Sequence, residues 1–149
     1  MKTLLAVDGS EFSEAAVHTL LSQFRPDGAQ ILVLRLVEPR IYSLAPQMSA
    51  GYAPEQDEIM KEESARAKED VQQVGQRLRA AHFDVETRVA QGEARIGILD
   101  VAAQWRPDLI LLGSHGRRGL RRFLLGSVAE FVSRHADCSV EIVRLPAES

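Results

Sequence analysis

The chain has 149 residues, 45% hydrophobic and 26% charged, a balance that suits a packed globular core and excludes disordered, collagenous and membrane-embedded classes. At that length folding removes roughly 68–70% of the unfolded surface from water, so one domain over residues 1–149 needs neither disulfides nor a structural metal. A formal net charge of −3 argues against a surface devoted to nucleic acid, and the lone Cys138 has no partner for an intramolecular bridge.

Residues 3–7 are a short, nearly continuous apolar run and predict a first strand. The run is too short for a signal-peptide core and Asp8 interrupts it, and no other segment reaches the roughly 20 apolar residues of a membrane span. The cytoplasm is therefore the expected location, with no membrane partner. Phe12, Ala16, Leu20 and Phe24 then recur every fourth residue, with Ala15, Val17 and Leu21 broadening the stripe into one helical face. Ser10 is placed to cap that helix, and Glu11 and Glu14 complement its dipole. Residues 31–37 predict a second strand. Residues 39–54 lose all periodicity to Pro, Ser, Gly, Tyr and Met and read as a mobile insertion.

From residue 55 to 81, Met60, Ser64, Ala67, Val71, Val74, Leu78 and Ala81 mark one face of a long helix, acidic early and ending on Arg77 and Arg79. Residues 84–90 alternate as a third strand. A helix over 93–104 is expected to turn Ile96, Leu99 and Ala103 inward, with Trp105 packing at its end. Residues 109–112 form a fourth, fully apolar strand. A last helix over 127–135 is expected to bury Val128, Phe131, Val132 and His135, and residues 140–145 give a fifth strand. Strands alternating with helices imply a mostly parallel sheet covered on both faces. Ligands of such sheets lie beyond the carboxyl ends of the strands, which directs attention to the loops after Val7, Val37 and Leu112.

The fourth strand runs directly into Gly113-Ser114-His115-Gly116, and nine residues later Gly126-Ser127 opens the last helix. Glycines allow close backbone approach, and the unpaired amides and dipole at a helix start attract an anion, so strand, loop and helix together suit phosphate. Ser127 is expected to serve as both N-cap and hydroxyl donor. Taken singly, each glycine is ordinary turn or cap chemistry. Arg117, Arg118, Arg121 and Arg122 fall between them, and a run of this kind is commonly a solvated face. Asp8 reads either as a turn-former whose carboxylate accepts local amides or as a ribose or metal-bridged contact. His115 reads either as a phosphate donor or as an exposed loop residue. His18, His82 and His135 have no partner pattern.

The stretch from Gly113 to Val128 resembles the Gly-x2-Gly-x9-Gly-Ser nucleotide motif of the universal stress protein family, in its ATP-binding branch, and Leu5-Ala6-Val7-Asp8-Gly9-Ser10 resembles that family's first strand and turn. Order and length agree over nearly the whole chain. The resemblance implies a doubly wound, Rossmann-like five-stranded parallel sheet of order 3-2-1-4-5 with four helices, akin to the adenine nucleotide α hydrolase fold. It also implies that ATP lies across the carboxyl edge with Mg2+ as counter-ion. Adenine would then meet the backbone at Leu36, Ala6, Val7 and Asp8 would flank base and ribose, and Gly113 would approach the ribose. His115, Gly116, Gly126, Ser127 and Val128 would surround the phosphates, Ser114 would belong to the same ATP site, and any metal would touch Asp8 only indirectly. The family often dimerises through its last strand. Here Ser139 and Glu141 replace the usual proline and aliphatic residue, and a charge on an edge strand discourages pairing.

The implied function is an ATP-binding signalling or stress-response module, with a slow ATP hydrolase or phosphate-transferring enzyme as the alternative. The Walker Gly-x4-Gly-Lys-Ser/Thr is missing and no carboxylate lies within residues 113–127, so dedicated catalysis is not expected. A phosphoacceptor receiver domain would need an acidic pair after the first strand and an aspartate ending the third, where this chain has Asp8 alone and Val89-Ala90-Gln91-Gly92. A nucleic-acid binder would interleave aromatics with the arginines, and only Phe123 is present. A downstream protein partner is not named by any motif.

Overall fold

The computed structural model describes residues 1–39, 46–116 and 124–146, with side chains of the middle stretch described from Asp57 onward. In chain order the elements are β1 (Lys2–Ala6), α1 (Glu11–Gln23), β2 (Gln30–Val37), α2 (Pro46–Ala80), β3 (Asp84–Gln91), α3 (Ala94–Trp105), β4 (Leu109–Gly113), α4 (Ser127–His135) and β5 (Ser139–Val143). The five strands form one sheet in the order β3-β2-β1-β4-β5, and every pairing is parallel. The doubly wound topology implied by the resemblance is the one observed.

β1 lies at the centre, with Leu4 paired to Leu32 on one side and Ile110 on the other. Because successive side chains in a strand point to opposite faces, these residues send alternate rows into two separate cores. Leu5, Val33 and Leu111 pack with Ala16, Val17 and Leu20 of α1 and with Val71, Val74 and Leu78 of α2. Leu4, Leu32 and Ile110 pack on the other face with Ile98 and Val101 of α3 and Ala129 and Val132 of α4. Each fully buried leucine or isoleucine contributes about 1.5–3 kcal/mol. Burial on both faces is why the strands read as continuous apolar runs.

Polar groups tie the layers together. Arg35 of β2 is buried and pairs with Asp70 of α2. Arg77 of α2 makes a two-pronged pair with Glu14 of α1, at 2.9 and 2.6 Å, and this raises the Arg77 pKa. At the amino edge the Lys2 amide donates to Asp108 at 2.7 Å, while its ammonium sits 4.3 Å from the centre of the Trp105 ring and donates to the Trp105 carbonyl. Trp105 thus does pack at a helix end.

Three local expectations change. α2 begins at Pro46, so residues 46–54, read as part of an irregular insertion, are helical; residues 40–45 lie outside the described residues. α3 is rotated: Ile98 and Val101 face inward, Ile96 is 42% exposed and Ala103 is exposed. The reason is Gly97, where a Cβ would stand 2.3 Å from Leu36 Cδ1, so the glycine side of the helix is the one that closes on β2. Finally, α4 buries Ala129 and Val132, while His135 is exposed and rests on the Phe131 ring with centroids 4.2 Å apart.

Thr3 is fully buried at the sheet centre, and among the described residues its hydroxyl has no hydrogen-bond partner. Burying such a group without a partner costs about 1–3 kcal/mol, whereas valine has the same shape and equal strand preference. Thr3→Val is expected to raise stability by about 1 kcal/mol, seen as a melting temperature about 3 °C higher; an unchanged or lower value would show that the hydroxyl is satisfied.

Candidate functional site

At the carboxyl end of β1 the Val7 amide still donates to Leu34, at 2.9 Å, and the Val7 side chain is buried in the α1–α2 core. The chain then turns. Asp8 Oδ1 accepts from the Ser10 amide at 2.9 Å, Gly9 takes a positive φ of 79°, and Ser10 Oγ accepts from the Ser13 amide at 3.2 Å as the N-cap of α1. One oxygen of Asp8 therefore holds the turn, as its bland reading required. The other, Oδ2, lies 3.1 Å from where a Cβ on Gly116 would be, which brings the β1 turn and the β4 loop together.

On the β4 side, the Ser114 amide donates to Val143 at 2.8 Å and the Gly126 amide donates to the Ser114 carbonyl, also at 2.8 Å. The second bond draws the start of α4 onto the strand end. A Cβ at Gly126 would lie 2.9 Å from the Ser114 carbonyl oxygen and 3.0 Å from His115 Cα; one at Gly113 would lie 2.6 Å from the Phe12 carbonyl carbon. Both positions are glycine because backbone packs on them. Among the described residues a Cβ at Gly116 would meet only the Asp8 carboxylate.

α4 is capped by Gly126, which gives no side-chain bond to the first amides; Ser127, expected as the N-cap, is instead the first helical residue and is exposed, with Val128 half-buried behind it. The positive end of the helix dipole and its unpaired amides thus face the loop. His115 stands beside them. Its ring lies 5.0 Å from the Phe12 ring at 46°, its Nδ1 is 3.0 Å from Ser114 Oγ, and its Nε2 is buried with no partner among the described residues. Ser114 is only 2% exposed, so its side chain serves His115 and not the crevice.

Of the residues singled out in the sequence, Asp8, His115, Gly116, Gly126 and Ser127 come together at this edge. Gly113 and Ser114 support them from beneath. Ala6 and Leu36 pack their side chains against the α3–α4 core and Val7 against the other, so backbone is what these three can present. Arg117, Arg118, Arg121 and Arg122 lie outside the described residues. Phe12 was legible only as a helix-face residue, and nothing in its spacing signals contact with His115. Among the described residues no group of three or more His, Cys, Asp or Glu could hold a metal ion.

A cavity of about 350 Å³ lies between α1 and α2, lined by Glu11, Glu14, Asp70 and Arg77 among others and reaching the β1 turn at Val7, Gly9 and Ser10. Its acidic lining makes it a poorer place for phosphate than the α4 terminus.

The universal stress protein family model matches residues 1–144. The chain belongs to the universal stress protein family. A curated universal stress protein of Synechocystis is 30% identical over 149 residues, covering 96% of this chain and 97% of that one. Among solved structures, the universal stress protein UspA of Lactobacillus plantarum superposes with a TM-score of 0.84 at 27% identity, with 97% of each chain covered. A universal stress protein family member of Arabidopsis thaliana, solved with AMP bound, shares the fold at a TM-score of 0.68 and 19% identity over 99% of this chain and 93% of that one.

In this universal stress protein the glycines differ in what they carry. Gly113→Ala and Gly126→Ala are each expected to cost about 1–3 kcal/mol in urea unfolding, since backbone must move to admit the methyl group. Gly116→Ala is expected to stay within about 0.5 kcal/mol of the parent. Equal losses at all three positions would contradict this division.

Proposed function

We propose that this universal stress protein binds ATP with Mg2+ across the carboxyl edge of its sheet and works as a nucleotide-dependent signalling module in the stress response, without dedicated catalysis. The observation that carries the reading is the start of α4, whose Gly126 cap offers no side chain, near the His115 Nε2 that has no partner among the described residues. Two kinds of anion-binding group a short way apart suit a chain of phosphates better than a single one. The Arabidopsis relative, solved with AMP, supports an adenine nucleotide as the ligand class.

In this proposal adenine meets the Leu36 backbone, Ala6, Val7 and Asp8 flank base and ribose, and Gly113 supports the ribose. The phosphates lie between His115 and Gly116 on one side and Gly126, Ser127 and Val128 on the other, over Ser114. Phosphate oxygens and water hold the magnesium, with Asp8 contributing at most through water. The sequence has no Walker lysine, so hydrolysis is expected to be slow and incidental. The protein works in the cytoplasm, as a homodimer through β5, whose central Glu141 weakens the pairing.

Denaturing freshly purified protein and chromatographing the released nucleotide is expected to give ATP, and calorimetry on emptied protein to show ATP bound more tightly than AMP or cyclic AMP. Gly116→Val, which places a side chain in the crevice while leaving the backbone packing alone, is expected to weaken ATP at least about tenfold with an unchanged circular dichroism spectrum, a loss of about 1.4 kcal/mol. An empty protein with no ATP heat would remove the proposal, and a Gly116→Val variant that binds as tightly as the parent would remove the assigned site.

A further inference from the structure

We propose that Ser114 is a positioning residue that fixes the tautomer of His115, so that the neutral imidazole carries its proton on Nε2, as a hydrogen-bond donor and not as a lone pair.

The inference starts from one hydroxyl. Ser114 is 2% exposed, and the single partner of its Oγ among the described residues is His115 Nδ1, at 3.0 Å. A hydroxyl has one hydrogen, and when buried that hydrogen needs an acceptor. If Nδ1–H donated to Oγ, the hydroxyl hydrogen would point at nothing. If Oγ–H donates to Nδ1, both groups are satisfied and the ring's remaining proton must sit on Nε2. The cost of a buried unmade hydrogen bond makes this a preference of about tenfold or more. The neighbouring Phe12 ring, 5.0 Å away and tilted by 46°, limits rotation of the imidazole out of this contact.

The consequence falls on Nε2. That atom is buried and has no acceptor among the described residues, which leaves a donor there for an acceptor atom that a ligand brings. Phosphate oxygens are such acceptors, and on the reading of this edge as a nucleotide site the partner is a phosphate of ATP. A phosphoryl-transfer role for His115 would need the opposite arrangement, with an Nε2 lone pair aimed at phosphorus. Ser114 withholds it, so His115 is held as a binding group.

The test is a long-range proton–nitrogen correlation spectrum of protein labelled with 15N-histidine, without nucleotide, at about pH 8.5, where an ordinary imidazole is neutral. His115 is expected to show a protonated Nε2 and a bare Nδ1, and Ser114→Ala to shift it toward a mixture of tautomers. A wild-type spectrum with the proton on Nδ1, or one unaffected by Ser114→Ala, would overturn the proposal. The wild-type spectrum needs no variant, so a misfolded mutant does not block the test. A second arm uses ATP calorimetry: His115→Gln, which can place an amide donor near the Nε2 position, is expected to keep affinity within about threefold, and His115→Leu to lose about tenfold or more. Equal losses in the two variants would contradict the donor role. Should the spectrum show Nε2–H while ATP leaves the His115 signals unmoved, the tautomer assignment stands and the nucleotide proposal fails.

Discussion

The candidate site depends on one backbone hydrogen bond, from the Gly126 amide to the Ser114 carbonyl at 2.8 Å. It joins the first residues after β4 to the residue that opens α4, whatever path the intervening chain takes. Without it the helix start and His115 would be two unrelated features. With it, unpaired helical amides and a buried imidazole nitrogen share one edge of the sheet. The bond is possible only because residue 126 has no side chain, since a Cβ would press on the same carbonyl at 2.9 Å.

The rest of the fold holds this bond in place. β4 is rigid because β1 and β5 pair with it on either side and because Ile110 and Leu111 are fully buried on opposite faces. β5 adds a direct restraint, for its Val143 carbonyl accepts from the Ser114 amide. From the α1 side, Phe12 touches both Gly113 and His115, so the first helix also sets the position of the loop. The α1 start is fixed in turn by Asp8 and Ser10. A short run of local bonds therefore links the two strand ends that the family motif names separately.

Much of this was legible in the sequence. The strands were visible because both faces of the sheet are buried, which makes β1, β2 and β4 mostly apolar. The Ser10 cap was visible because its chemistry is local. The glycine spacing marked the β4–α4 junction. What was not legible depends on contacts between distant residues. The rotation of α3 turns on Gly97 meeting Leu36, and composition within the helix placed Leu99 on the core side but turned Ile96 and Ala103 inward where they are exposed. The packing of Gly113 and Gly126 turns on Phe12 and Ser114, contacts that the glycine spacing alone does not reveal. The contact of Ser114 with His115 depends on the burial of Ser114, which its place in the motif does not reveal. The helical start at Pro46 ran against a segment whose proline, glycine and serine content argued for a loop.

The most direct measurement is the set of backbone amide shifts recorded by nuclear magnetic resonance as ATP and Mg2+ are added. The largest changes are expected at Asp8, His115, Gly116, Ser127 and Val128, with the α4 amides moving as phosphate oxygens accept from them. Changes centred instead on Ser13, Asp70, Gln73 and Arg77, around the cavity between α1 and α2, or none at saturating ATP, would contradict a nucleotide held at the start of α4.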